Sequence, residues 1–193
     1  INIPDSAGDI VLSDMSTAGT SNLAIGVNAG NSIASGGNYN VALGDEAGTA
    51  INTGDNNTLV GYQAGDAITT GGGNVAIGAG ALSAGDTDSN SVAVGFNALN
   101  SLNVGGNSNV AVGFNALTNN VSGGNNTAIG TNALTTQNTS GGATDTNNTA
   151  IGNSALQSVT SGTSLTAVGS LAGDAITDGS NNVAVGVSAL TTN

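Results

Sequence analysis

The sequence contains no lysine, arginine, histidine, cysteine or tryptophan, and these absences exclude several classes of protein. Without Lys or Arg, the chain cannot neutralise nucleic-acid phosphates and is not attracted to anionic membrane surfaces. Without His or Cys, it cannot build the usual zinc, haem or iron–sulfur sites, nor a Ser–His or Cys–His nucleophile pair. We therefore expect a protein that is not an enzyme, carries no cofactor and binds no nucleic acid.

Charge is scarce and of one sign. The 193 residues include twelve acids, which give a formal net charge of −12, and 32 glycines. Glycine-rich chains with few aromatics are often disordered, but here the mean hydropathy is +0.11 and the aliphatic residues recur in register. No apolar run approaches the roughly 18 residues of a membrane span. These features predict a folded chain without membrane insertion.

A nine-residue block is repeated ten times, with the pattern Asn–x–Ala–aliphatic–Gly–x–x–Ala–Leu/Gly. Successive blocks are 17 or 18 residues apart, except for one spacing of 22 residues between Gly130 and Gly152. We expect the glycine of each block to form a corner, because glycine accepts positive φ and close backbone neighbours. The ten corner glycines are Gly26, Gly44, Gly61, Gly78, Gly95, Gly113, Gly130, Gly152, Gly169 and Gly186.

The residues before each corner are typical of a short strand. The aliphatic residue next to the glycine and the residue two positions earlier share one strand face, since side chains alternate with period two. We predict that this face fills the core. The aliphatic residues next to the glycines are Ile25, Leu43, Val60, Ile77, Val94, Val112, Ile129, Ile151, Val168 and Val185.

A unit of about 17 residues is too small to bury its own aliphatic side chains, whereas stacked copies share a continuous core. Frequent glycines disfavour a helix. The absence of any Asn-Gly dipeptide disfavours a meander of hairpins. The sequence therefore predicts an all-β protein, a parallel β-solenoid or β-roll of about ten coils.

Stacking also explains the asparagine that opens most blocks. Equivalent positions lie above one another in a parallel stack, so their amides can hydrogen-bond from coil to coil. Ser91 and Leu165 interrupt this column. The predicted asparagine ladder comprises Asn22, Asn40, Asn57, Asn74, Asn109, Asn126, Asn148 and Asn182.

Two segments lie outside the regular repeat, which we assign to residues 21–193. Residues 1–20 contain five apolar residues and are expected either to cap the solenoid or to dock onto the open end of another subunit, joining rods end to end. The apolar residues are Ile1, Ile3, Ile10, Val11 and Leu12. The 22-residue spacing predicts a longer loop at 135–148, which is interpreted as a tolerated insertion.

Calcium is a metal that the chain could bind, because oxygen ligands suffice for it. The acids do not recur at one coil position, as Asp55, Asp66, Asp86, Asp88 and Asp174 illustrate. We therefore expect no regular calcium site.

The repeated N-S/T/V-x-A-I/V-G block with its spaced alanine resembles the head repeat of YadA-type trimeric autotransporter adhesins, and similar repeats occur in phage tail-fibre-like proteins. The resemblance covers roughly residues 22–193. It implies a left-handed parallel β-roll, three chains packed side by side, and binding to host matrix or cell surfaces. It also implies that the aliphatics before the glycines fill coil and trimer interiors.

The leading hypothesis is a non-enzymatic, adhesive extracellular protein of the cell surface, whose partners are copies of itself and host or environmental surfaces. One alternative is an ice-binding face, for which Thr58, Thr127, Thr149 and Thr166 share one position, although that position is predicted to point inward. Another is a glycan-binding solenoid or a tail-spike segment. The few aromatics available to stack sugars are Tyr39, Tyr62, Phe96 and Phe114, and Asp86 and Asp88 are the acids closest in sequence.

Overall fold

The computed structural model describes residues 19–101, 107–120, 122–137 and 144–191, and these contain twelve strands and no helix. The strands are short because each coil turns again after three residues. In chain order they are β1 (Leu23–Ile25), β2 (Val41–Leu43), β3 (Thr58–Val60), β4 (Val75–Ile77), β5 (Val92–Val94), β6 (Val110–Val112), β7 (Gly123–Gly124), β8 (Thr127–Ile129), β9 (Thr144–Asp145), β10 (Thr149–Ile151), β11 (Thr166–Val168) and β12 (Val183–Val185).

Ten of these strands form one parallel sheet in the order β1-β2-β3-β4-β5-β6-β8-β10-β11-β12. The register is the same throughout, so Ala42 of β2 pairs with Ala24 of β1 and with Leu59 of β3. Strands β7 and β9 form a separate parallel pair, which brings the 22-residue unit back onto the stack. The chain is therefore a β-solenoid, as the repeat predicts.

Each coil turns at its corner glycine. All ten glycines have φ between 123° and 138°, a region that residues with a Cβ rarely adopt. A methyl group on Gly95 would lie 2.4 Å from the carbonyl oxygen of Gly113 in the next coil. Both the backbone conformation and the close stacking therefore require glycine at the corner.

The predicted core face is wrong, because the two faces of the sheet are exchanged. The middle residue of each three-residue strand points inward, and all ten are at most 2% exposed; they are Ala24, Ala42, Leu59, Ala76, Ala93, Ala111, Ala128, Ala150, Ala167 and Ala184. The aliphatics next to the glycines point outward and are half-buried or exposed. This correction applies to Ile25, Leu43, Val60, Ile77, Val94, Val112, Ile129, Ile151, Val168 and Val185.

The narrow interior explains why alanine lies inside. A methyl group on Gly30, across the coil, would lie only 3.3 Å from Ala24 Cβ, so the strand and the facing turn are almost in contact. Larger core side chains come from the turns instead. Ile51, Ile68, Leu99 and Leu117 are fully buried.

Several sequence predictions fall outside the described residues. Ile1, Ile3, Ile10, Val11 and Leu12, which are predicted to cap or dock, belong to this group, as does the 138–143 part of the loop at 135–148. Their roles stay predictions.

Candidate functional site

The outer face of the ten-stranded sheet is a regular apolar surface. It consists of two columns, formed by the first and third residues of each strand. The third-residue column is the aliphatic set before the corner glycines. The first-residue column is Leu23, Val41, Thr58, Val75, Val92, Val110, Thr127, Thr149, Thr166 and Val183. We call these two columns the apolar face.

The apolar face holds sixteen aliphatic residues, four threonines and none of the twelve acids. With strands about 4.8 Å apart, it is about 43 Å long, and three residues make it about 10 Å wide. An area on the order of 400 Å² is typical of exposed apolar patches that mark interaction sites. The face can therefore bury apolar surface against a partner without removing a charge from water.

The threonines are on this outer face and not on the inside, which corrects the prediction that their position points inward. Thr127, Thr149 and Thr166 are neighbours in successive strands of the sheet. Valine or leucine takes the same position in six of the ten strands, so no continuous threonine column forms.

Seven of the eight asparagines of the predicted ladder hydrogen-bond from coil to coil through their side chains. Asn182, which follows Leu165 in the stack, instead donates from Nδ2 to the carbonyl oxygen of Ser180 at 3.3 Å. Asn40 donates to Asn22 Oδ1 through its backbone N at 2.8 Å and its Nδ2 at 3.2 Å. Asn57 makes the same two bonds to Asn40 Oδ1. Six of the amides also close their own coil, as Asn40 Nδ2 does by donating to the carbonyl oxygen of Gly54 at 2.8 Å. The ladder is thus a structural element buried from ligands.

The two interruptions affect the ladder differently. Ser91 keeps the chain of bonds, because its Oγ accepts from the backbone N of Asn109 at 3.2 Å. The backbone N of Leu165 donates to Asn148 Oδ1 at 2.9 Å, but the Leu165 side chain offers no acceptor to the next coil. It is 1% exposed and replaces the amide with an apolar contact.

One acid lies inside the solenoid. Asp88 is 1% exposed, and neither of its carboxylate oxygens has a hydrogen-bond partner. A methyl group on Gly85 would lie 2.5 Å from Asp88 Oδ2, and Gly85 holds the position of Ile68 one coil earlier. Burial, together with the nearby charge of Asp86, raises the pKa of Asp88 to about 7.

The other acids whose side chains the structure describes are at or near the surface. Asp66 is half-buried, and burial followed by the charge of Glu46 raises its pKa, against the lowering effect of its backbone hydrogen bonds. Asp86 accepts a hydrogen bond from Thr69 at the surface. Within the described ranges, no group of three or more acids is placed to hold a metal ion.

All four aromatic side chains are on the surface, each at least half exposed. Tyr62, Phe96 and Phe114 follow corner glycines and so lie in one column beside the apolar face. The rings of Phe96 and Phe114 stack, with centroids 5.5 Å apart and planes 10° from parallel. Sequence analysis identified these residues as sugar-stacking candidates but not their common column, which follows from their equal distance to the corner.

Comparisons with family models, with curated proteins and with solved structures find no match for this chain. Within the ranges that the structure describes, no helix is long and apolar enough to cross a membrane. The site is therefore interpreted from its own geometry.

Proposed function

We propose that the chain is a non-catalytic structural element of an extracellular, adhesive surface fibre, and that it assembles side by side with copies of itself through the apolar face. The observation that carries this proposal is a face without charge over ten strands, in which one of the two columns is entirely aliphatic. Resemblance to YadA-type head repeats supports an adhesive role at the cell surface and a bundle of three chains.

Charge restricts where a second copy can make contact. Every charged side chain in this protein is an acid, so two copies repel each other wherever their acids meet. The apolar face is free of acids, and contact through it keeps the carboxylates in water at the turns. Burial of apolar surface stabilises such contact by about 25 cal/mol per Å² before the costs of association are subtracted.

The geometry also favours copies that lie along one another with their long axes aligned. Val and Ile side chains recur every 4.8 Å or so along the rod, so ridges of one face can fit the grooves of another. This regular spacing gives an extended rod with adhesive surface on its remaining sides.

The test is the oligomeric state of the double variant Val94→Asp/Val112→Asp. Both residues are on the outer face of central strands, so the added carboxylates leave the interior unchanged. We expect the wild-type chain to sediment as an oligomer and the variant as a folded monomer, with an unchanged circular dichroism spectrum.

The matched control is Asn52→Asp/Ser158→Asp, which adds the same charge at two exposed turn positions. It should keep the wild-type oligomer. A monomeric wild-type chain at micromolar concentration, or an unchanged oligomer in the Val94/Val112 variant, would contradict the proposal.

A further inference from the structure

The column of residues that follow the corner glycines contains a gap between two aromatics. Successive coils place Tyr62, Ala79, Phe96 and Phe114 at this position. These positions lie directly above one another in neighbouring coils, because backbone hydrogen bonds join the coils there. The backbone N of Gly80 donates to the Tyr62 carbonyl and that of Asn97 to the Ala79 carbonyl, both at 3.0 Å. Ala79 is thus the one small residue in a run of four coils.

The residue after Ala79 in the same coil, Gly80, is also small. Gly80 lies between Gln63 of the coil before and Asn97 of the coil after, as the same hydrogen-bond pattern shows. Ala79 and Gly80 therefore form the floor of a notch, which we define as the space between Tyr62 and Phe96. Two coil spacings make the notch about 9.6 Å wide between the flanking backbones.

Polar groups surround the floor of the notch. Gln63 Nε2 donates to Glu46 Oε2 at 2.7 Å, which leaves the Gln63 amide oxygen as an acceptor. Asn100 Nδ2 donates to the Gly80 carbonyl at 3.0 Å. A methyl group on Gly80 would lie 2.5 Å from Asn97 Oδ1, so this amide oxygen lies over the floor. The notch combines aromatic walls with amide and carboxylate acceptors.

We propose that this notch binds one pyranose ring of a neutral glycan. A flat ring between two aromatics needs about 7 Å, twice the optimal carbon–carbon contact, and would leave the notch underfilled. A pyranose chair is thicker, since C–H bonds stand on both of its faces, and these partly positive hydrogens pack against the negative face of an aromatic ring. Its hydroxyls donate to the surrounding oxygens.

The charge of the protein selects against anionic ligands. The chain offers no cation to a phosphate, sulfate or uronate, and Glu46 lies beside the notch. The lack of cations does not weaken the binding of a neutral sugar, because its hydroxyl groups need hydrogen-bond acceptors and not positive charge. The ligand class is therefore an uncharged oligosaccharide.

Ala79→Phe tests the notch without removing any aromatic residue. Phenylalanine already occupies this position in the next two coils, so the substitution should fold and complete the stack from Tyr62 to Phe114. The matched control is Thr131→Phe, which adds the same ring at the same coil position beyond Phe114 and leaves the notch open.

The probes are cellohexaose, maltohexaose and chitohexaose, titrated by calorimetry into wild type and both variants. We expect the wild-type chain and Thr131→Phe to bind at least one probe, and Ala79→Phe to lose about tenfold or more in affinity. Absence of wild-type binding to all three probes at millimolar concentration, or full binding by Ala79→Phe, would overturn the proposal. Sedimentation of the same samples shows whether Ala79→Phe also changes lateral assembly, so that a loss of sugar binding is distinguished from a loss of the oligomer.

Discussion

At the residue scale, each coil depends on side chains that accept a left-handed backbone. The position four residues after the corner has φ between 51° and 65° in every coil, whether it is glycine, as in Gly48, or leucine, as in Leu99. Whether this position is glycine or leucine depends on the volume that other side chains fill inside the coil. Where this residue is Gly48 or Gly65, Leu59 or an isoleucine fills the space, since a methyl group on either glycine would contact Leu59 at under 3 Å.

Asp88 is the residue whose protonation should control stability. Its pKa rises to about 7 in the folded chain from the ordinary 3.8, so between these values the folded state keeps a proton that the unfolded state releases. Stability therefore falls as pH rises through this interval, by up to about 1.4 kcal/mol per pH unit. Among the described residues, the charge that acts on Asp88 is that of Asp86, which adds to the effect.

Asp88→Asn should remove this dependence, because the amide resembles the protonated acid. We expect the variant to melt at a higher temperature than wild type at pH 8 and at nearly the same temperature at pH 4, as followed by circular dichroism. Asp178→Asn, at an exposed site, removes the same charge and should keep the wild-type pH slope. If the melting temperature changed with pH equally in wild type and Asp88→Asn, Asp88 would not be the cause of the pH dependence of stability.

At the scale of the element, the ladder links strands that are too short to hold a sheet alone. Asn126 is central to it: its Oδ1 accepts from the backbone N of Asn148 at 2.9 Å and from Thr146 Oγ1 at 2.8 Å. Its Nδ2 donates to Asn109 Oδ1 at 3.1 Å. All four residues are buried, so groups that lose a partner cannot turn to water.

We predict that Asn126→Ala destabilises the chain by about 3 kcal/mol, since each unsatisfied buried group costs about 1–3 kcal/mol. Chemical denaturation measures the loss. Asn119→Ala, at an exposed turn position six residues or more from the ladder, should stay within about 0.5 kcal/mol of wild type. A small effect at Asn126 would mean that backbone bonds alone hold the coils together.

The elements also show what the sequence can predict. The repeat predicts corners such as Gly95 and the asparagine column, because both depend on strict spacing. The prediction of which strand face lies in the core was wrong. In a Val-Ala-Val strand, one face carries two valines and the other carries one alanine, so hydrophobicity alone places the valines inside. The 3.3 Å approach of a methyl group on Gly30 to Ala24 Cβ decides otherwise, and this approach depends on the folded path of the coil, which the hydrophobic pattern does not contain. The notch at Ala79 likewise needs the stacking register.

At the scale of the whole molecule, the single sign of charge governs how the protein responds to salt. Most proteins carry attractive and repulsive pairs, and screening weakens both. Here every pair of charged side chains is repulsive, and folding or assembly brings the acids closer together. Screening can therefore only stabilise the folded and assembled states.

We expect the melting temperature at pH 7 to rise between about 10 mM and about 500 mM NaCl, as the screening length falls from about 30 Å to a few ångströms. Oligomers formed through the apolar face should strengthen over the same range, as measured by sedimentation. The control is the same comparison at about pH 3, where most carboxylates are protonated and the increase should shrink. A melting temperature that falls with salt at pH 7 would require an attractive charge pair, and no Lys, Arg or His side chain is present to form one.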